Sequence, residues 1–104
     1  MKMNENPILE IDKLIHEPAR LLIIRHLSLL DSGDFLYLLA ATGLSKGNLS
    51  THLQKLEKAG YIEIKKRFVG KKPQTILKLT ELGRIKYEAY QETMKKLWQN
   101  SSDT

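Results

Sequence analysis

Apolar residues recur along the chain in two different rhythms, and the change from one to the other divides it. Ile8, Leu9, Ile11, Leu14 and Ile15 fall at helical spacing and predict a short amphipathic helix. Pro18 ends it, since proline removes an amide donor, but proline is tolerated in the first turn of a new helix. Residues 19–30 then read as helix, with Leu22, Ile23, Leu27 and Leu30 as its apolar stripe. Asp31, Ser32, Gly33 and Asp34 have turn chemistry, and Asp34 is placed to cap the next helix. That helix, 35–42, is short and almost wholly apolar, which predicts burial on most sides. Gly43 suits the left-handed position that closes it. Ser45 caps a further helix that runs to Ala59 and is closed by Gly60.

From Tyr61 the period shortens to two. Residues 61–68 alternate, with Ile62, Ile64 and Phe68 on the inward side. Residues 75–80 alternate again, with Leu77 and Leu79 inward. Gly70, Lys71, Lys72 and Pro73 are expected to join these strands as a tip longer than the tightest two-residue turn. Thr80 caps a last helix over 81–99. Polar tails are expected at 1–7 and 100–104. The order is helix, helix, helix, helix, hairpin, helix. It predicts a mainly α fold with a small β-hairpin (α+β), namely a winged helix-turn-helix extended by an N-terminal helix and a long C-terminal helix. The 104 residues are expected to form a single domain, with an ordered core at about 8–98.

Charge sharpens this outline. The net charge is +5, but residues 44–78 hold nine basic side chains against Glu57 and Glu63 alone, a local balance of +7, while the rest of the chain carries −2. A concentrated cationic segment on a nearly neutral body is the footprint of a polyanion binder. Within the helix at 45–59, Leu49, Leu53 and Leu56 share the buried face. Gly47, Thr51, Gln54 and Lys58 lie opposite, and Asn48 and Lys55 flank them. The outer face is small or polar near its start and cationic near its end. A major groove asks for this, because the first residues must approach base edges without bulk. Asn and Gln can pair with adenine, and Lys reaches guanine or phosphate. Ser45, Lys46 and the first amides of the helix can take a phosphate. Gly47 inside a helix costs about 0.5–1 kcal/mol against Ala. A close approach, either to DNA or to the preceding helix, would account for it. His52 flanks the buried face and is expected to pack or hydrogen-bond. Lys65, Lys66, Arg67, Lys71 and Lys72 make the hairpin a cationic finger for phosphates or the minor groove, with Gln74 and Thr75 as neutral contacts.

Other chemistries are not supplied. His16, His26 and His52 lie on separate helices without metal-ligand partners, there is no cysteine, and no Gly-rich phosphate loop is present. No metal, no cofactor and no catalytic residues are assigned, and the protein is expected not to be an enzyme. No stretch approaches a membrane span and the first ten residues do not form a signal peptide, so a cytoplasmic protein without membrane contact is expected.

The last helix carries two apolar groups. Leu82, Ile85 and Ala89 suit the chain's own core. Tyr87, Tyr90, Met94, Leu97 and Trp98 form a second stripe that one small body cannot also bury. With Ile8, Ile11 and Ile15, this stripe is expected to meet a second copy of the chain in a homodimer.

The runs "IHEPARLLIIRHL" (15–27) and "GLSKGNLSTHLQKLEKAGYIEIKKRFVGKKPQTILKLTELGR" (43–84) resemble winged-helix transcriptional regulators of the MarR and ArsR kind, closest to their short single-domain branch. The resemblance spans about 8–98 and is most specific at "SKGNLSTHLQKLEKAGYI" and "LTELGR". It implies a dimeric repressor or activator on pseudo-palindromic double-stranded DNA. ArsR-type metal sensing through cysteine and histidine is not carried over, because the chain has no cysteine. MarR-type members bind small aromatic effectors between domains, with longer terminal helices than this chain has, and no effector is assigned.

Overall fold

A computed structural model describes residues 7–102. The chain forms helix α1 (Pro18–Ser28), strand β1 (Gly33–Asp34), helices α2 (Phe35–Thr42) and α3 (Lys46–Lys58), strands β2 (Ile62–Val69) and β3 (Lys72–Leu79), and helix α4 (Glu81–Ser102). This is the expected winged helix-turn-helix, with one more strand than the alternation shows. The sheet is antiparallel in the order β1-β3-β2, with Gly33 opposite Leu77 and Asp34 opposite Ile76. A two-residue strand has no period to read, so 31–34 shows only its turn chemistry in the sequence. Asp34 still caps α2, its carboxylate accepting from the Tyr37 amide at 2.6 Å.

The segment ahead of α1 differs from expectation. In place of an amphipathic helix there is one 3-10 turn, Pro7–Glu10, followed by turns. Asp12 is the cause. Its Oδ1 accepts from the amides of Leu14 (2.9 Å) and Ile15 (3.2 Å), offering the backbone an alternative to helix. Its Oδ2 accepts from the Tyr61 hydroxyl at 2.5 Å, tying the segment to the start of the sheet. Glu17 then caps α1 by accepting from the Arg20 amide, with Pro18 in the first turn.

Ile15, Ile23, Ile24, Leu27, Leu38, Leu49, Leu56 and Leu77 are fully buried at the centre, where α1, α3 and the sheet meet. α2 contributes less than its composition suggests. Only Leu38 is buried, Phe35 and Leu39 pack partly against the core, and Leu36 and Tyr37 are exposed. Gly43 closes α2 at φ +71° and Gly60 follows α3 at φ +82°, both in the region that favours glycine.

The hairpin is tighter than expected. Val69 pairs with Lys72, so Gly70 and Lys71 alone make the turn. Gly70 has φ +64° and Lys71 does not have positive φ, the pattern of a two-residue type II′ connection. Pro73 sits inside the ladder opposite Phe68. β1 covers β3 only at Ile76 and Leu77, so the outer edge is open at Pro73 and tolerates proline.

In α4 the two apolar groups are exchanged. Tyr87 and Tyr90 are buried and Met94 packs against the core, whereas Leu82 (43% exposed), Ile85 (54%) and Ala89 face outward. Gly83 sets this orientation. It lies so close to the entry of β2 and the end of β3 that a Cβ there would run into the Tyr61 carbonyl and the Leu79 side chain. Thr80 caps the helix, accepting from the Gly83 amide at 3.0 Å and donating to the Gly60 carbonyl at 2.6 Å. Arg84 reaches the carbonyls of Ser28 and Leu30 at the end of α1.

Candidate nucleic-acid interface

α3 is positioned by one face and presents the other. Leu49, Leu53 and Leu56 are buried, while Ser45, Lys46, Gly47, Asn48, Thr51, Gln54, Lys55 and Lys58 are all exposed. Ser45 accepts from the Asn48 amide at 3.1 Å, which leaves its own hydroxyl proton free to donate outward. Thr51 donates back to the Gly47 carbonyl at 2.9 Å. Of the two reasons offered for Gly47, contact with the preceding helix is removed, because nothing lies within 4 Å of where its Cβ would stand.

His52 packs as expected and ties α3 to α1. Its Nδ1 stands 3.2 Å from an Arg20 Nη1 and 4.0 Å from the Glu17 carboxylate. Arg20 Nε donates to the Leu14 carbonyl at 2.6 Å. Burial works against the Glu17 charge, but its bond from the Arg20 amide and the nearby His52 and Arg20 outweigh it and hold the carboxyl below its usual range.

On the hairpin, Lys65, Lys66, Arg67, Lys71 and Lys72 are exposed. Among the described residues none of Lys46, Lys55, Lys58, Lys65, Lys71 and Lys72 makes an ion pair. Arg67 and Gln74 are already engaged. Arg67 Nε donates to Gln74 Oε1 at 3.1 Å, and Gln74 Nε2 donates to Asp34 Oδ2 at 3.2 Å. This chain braces the hairpin against the start of α2, so Gln74 serves the fold as well as the surface.

Phe68 and Val69 are where the alternation misleads. Phe68 shares a face with Ile62 and Ile64, yet it is 73% exposed, and Val69 is 57% exposed. The strand pair runs on past the body, so the inward side of its last residues meets nothing. The two-residue turn, which lengthens both strands, is the signal that would have shown this.

The residues expected at a subunit seam divide. Ile11, Ile15, Tyr87 and Tyr90 are buried in the chain's own core, so their side chains are already used. Burial raises the Tyr90 hydroxyl pKa, with a further push from Tyr87, and the group bonds His16 Nδ1 at 2.8 Å. Met94 and Leu97 are half-buried and Trp98 is 67% exposed. The side chain of Ile8 lies outside the described residues. Among the described residues no cluster of three His, Cys, Asp or Glu could hold a metal, and no helix is long and apolar enough to cross a membrane.

Comparison with known proteins places this geometry. A family model described as a winged helix DNA-binding domain matches residues 19–98. An uncharacterised protein of Methanocaldococcus jannaschii is 36% identical over 78 residues, covering 75% of this chain and 85% of that one. A transcriptional regulator homologue from Pyrococcus horikoshii superposes with a TM-score of 0.86 at 22% identity, covering 92% of this chain and 97% of its own. A protein described as a MarR-family transcriptional regulator from Enterococcus faecalis superposes with a TM-score of 0.75 at 19% identity, covering 100% and 97%. The two structural likenesses share the fold. The family match spans all of α2, α3 and the hairpin, so this chain belongs to the winged helix DNA-binding domain family.

Proposed function

We propose that the protein is a sequence-specific transcriptional regulator that binds double-stranded DNA as a homodimer in the cytoplasm, with α3 in the major groove and the β2–β3 wing on the backbone or minor groove. The observation that carries this reading is the outer face of α3. It is exposed from Ser45 to Lys58, and Gly47 faces open space where a side chain would stand. Asn48 and Gln54 read base edges. Ser45 and the helix N-terminus hold a phosphate, with Lys46, Thr51, Lys55 and Lys58 around them. Lys65, Arg67, Lys71, Lys72 and Gln74 position the wing.

The dimer is supported by the far end of α4. The stripe that begins with Gly83, Tyr87 and Tyr90 continues through Met94, Leu97 and Trp98, and it becomes exposed as it passes the N-terminal segment that covers its first half. A second copy is the natural cover for Leu97 and Trp98. It also holds two recognition helices about 34 Å apart, as successive major grooves require.

The test begins with selection of bound sites from a random duplex pool. Asn48→Ala and Gln54→Ala should then narrow the gap between the selected site and random DNA by about 1–3 kcal/mol, while Lys71→Ala with Lys72→Ala weakens all sequences alike. A dimer neutralising about eight phosphates gives a slope of log K against log salt near −7. A slope shallower than about −2 removes the basic cluster as the contact surface. Equal affinity for selected and random DNA would leave a non-specific binder, and no affinity at low salt would leave a protein-interaction module.

A further inference from the structure

The wing ends in a feature that lysines for phosphates do not need. Phe68 and Val69 occupy the last two positions of β2, and Phe68 faces Pro73 across the ladder. Single exposed apolar residues are ordinary on protein surfaces. Phe68 and Pro73 side by side on one face of a narrow ribbon's tip, with Val69 exposed on the other face, are not, because the tip has no body of its own to pack on. Gly70 closes the turn beside them with nothing within 4 Å of its Cβ position. Lys65, Lys66, Arg67, Lys71 and Lys72 surround the group, and no acidic residue lies between Lys65 and Thr75. An apolar tip flanked along both strands by these cations is complementary to a polyanion that offers an apolar interior. A DNA duplex is such a partner, with its stacked bases behind two rows of phosphates.

The direction in which the ring points is also given. Phe68 lies on the sheet face shared by Ile64, Lys66 and Thr75, which line a groove of about 510 Å³ together with Gln54 and Glu57 of α3. Phe68 is one pleat beyond Lys66, about 7 Å further toward the tip. It faces the side on which α3 presents Gln54. The Arg67–Gln74–Asp34 chain braces the opposite face of the ribbon, so the tip is held from behind.

Resting on the DNA-binding reading above, we propose that Phe68 is a minor-groove wedge. Its ring enters the minor groove beside the α3 contact and partly unstacks one base step, while Val69 and Pro73 pack on the adjoining sugars. Apolar side chains used in this way kink the duplex. The cost is lowest at pyrimidine–purine steps, so the wing adds sequence preference at positions that α3 does not touch.

The experiment uses the full-length protein and a duplex selected by it from a random pool, with 2-aminopurine placed in turn at each step of the wing footprint. Wild type should raise the fluorescence at one step in each half-site. Phe68→Ala should lose that rise and bind about tenfold more weakly, with the salt slope unchanged because no charge has been removed. Phe68→Leu should keep most of both signals. Lys71→Ala should keep the fluorescence rise and make the salt slope shallower by about one unit per contact. Since Phe68 is exposed, the alanine variant should melt with wild type. Unchanged affinity and fluorescence in Phe68→Ala overturns the wedge. So does a change in the sedimentation of the free protein, which would make Phe68 a protein contact. A wild type that binds no duplex at low salt fails earlier, at the DNA-binding reading itself.

Discussion

α3 and α4 are both amphipathic helices packed on one core, and they differ in how many apolar stripes they carry. In α3 the leucines at 49, 53 and 56 form a single stripe, all of it buried, and everything opposite is exposed. In α4 there are two groups on opposite sides, and the helix buries Tyr87 and Tyr90 while exposing Leu82 and Ile85. One stripe leaves one way to dock. Two stripes leave a choice that periodicity cannot make, and contacts from elsewhere decide it. Here these are the close approach of Gly83 to the Tyr61 carbonyl and the N-terminal segment laid over the tyrosines.

The comparison breaks most sharply with paired truncations. Leu53→Ala should cost about 2–5 kcal/mol in chemical denaturation, as truncating a buried leucine removes packed methyl groups from the core. Ile85→Ala should stay within about 0.5 kcal/mol, as for other exposed positions. A loss above about 2 kcal/mol at Ile85 would mean that something beyond the chain covers that face. The next effect concerns what orients α4. Gly83→Ala forces a side chain against backbone and should cost about 1–3 kcal/mol, seen as a lower denaturation midpoint with an unchanged slope. Gly47→Ala on α3, where the space is open, should instead gain up to about 1 kcal/mol.

The smallest effect sharpens how the N-terminal segment is held. Burial, then the Asp12 hydrogen bond and charge, push the Tyr61 hydroxyl up to about 12. A pKa raised in the folded state gives stability that is complete below the ordinary value, about 10, and is lost as pH rises toward 12. Wild type should therefore lose stability across pH 10–12. Tyr61→Phe should cost about 1 kcal/mol at neutral pH and show a flatter alkaline limb. An identical alkaline limb in both proteins would remove Tyr61 from that role.

The sequence by itself determined the elements whose signals are local. Asp34, Gly43, Ser45, Gly60 and Thr80 mark helix ends because capping bonds and positive φ involve only neighbours in the chain. The single stripe of α3 determined its outer face, and with it the residues proposed to meet DNA. Tertiary structure decided what depends on distant partners. β1 exists only because β3 lies beside it, and the first segment turns at Asp12 partly because Tyr61 waits for its carboxylate. The ribbon outruns the body, so the same alternation that buries Ile62 leaves Phe68 in the open. Local patterns state which residues share a face. Whether a face is covered depends on what the rest of the chain brings to it.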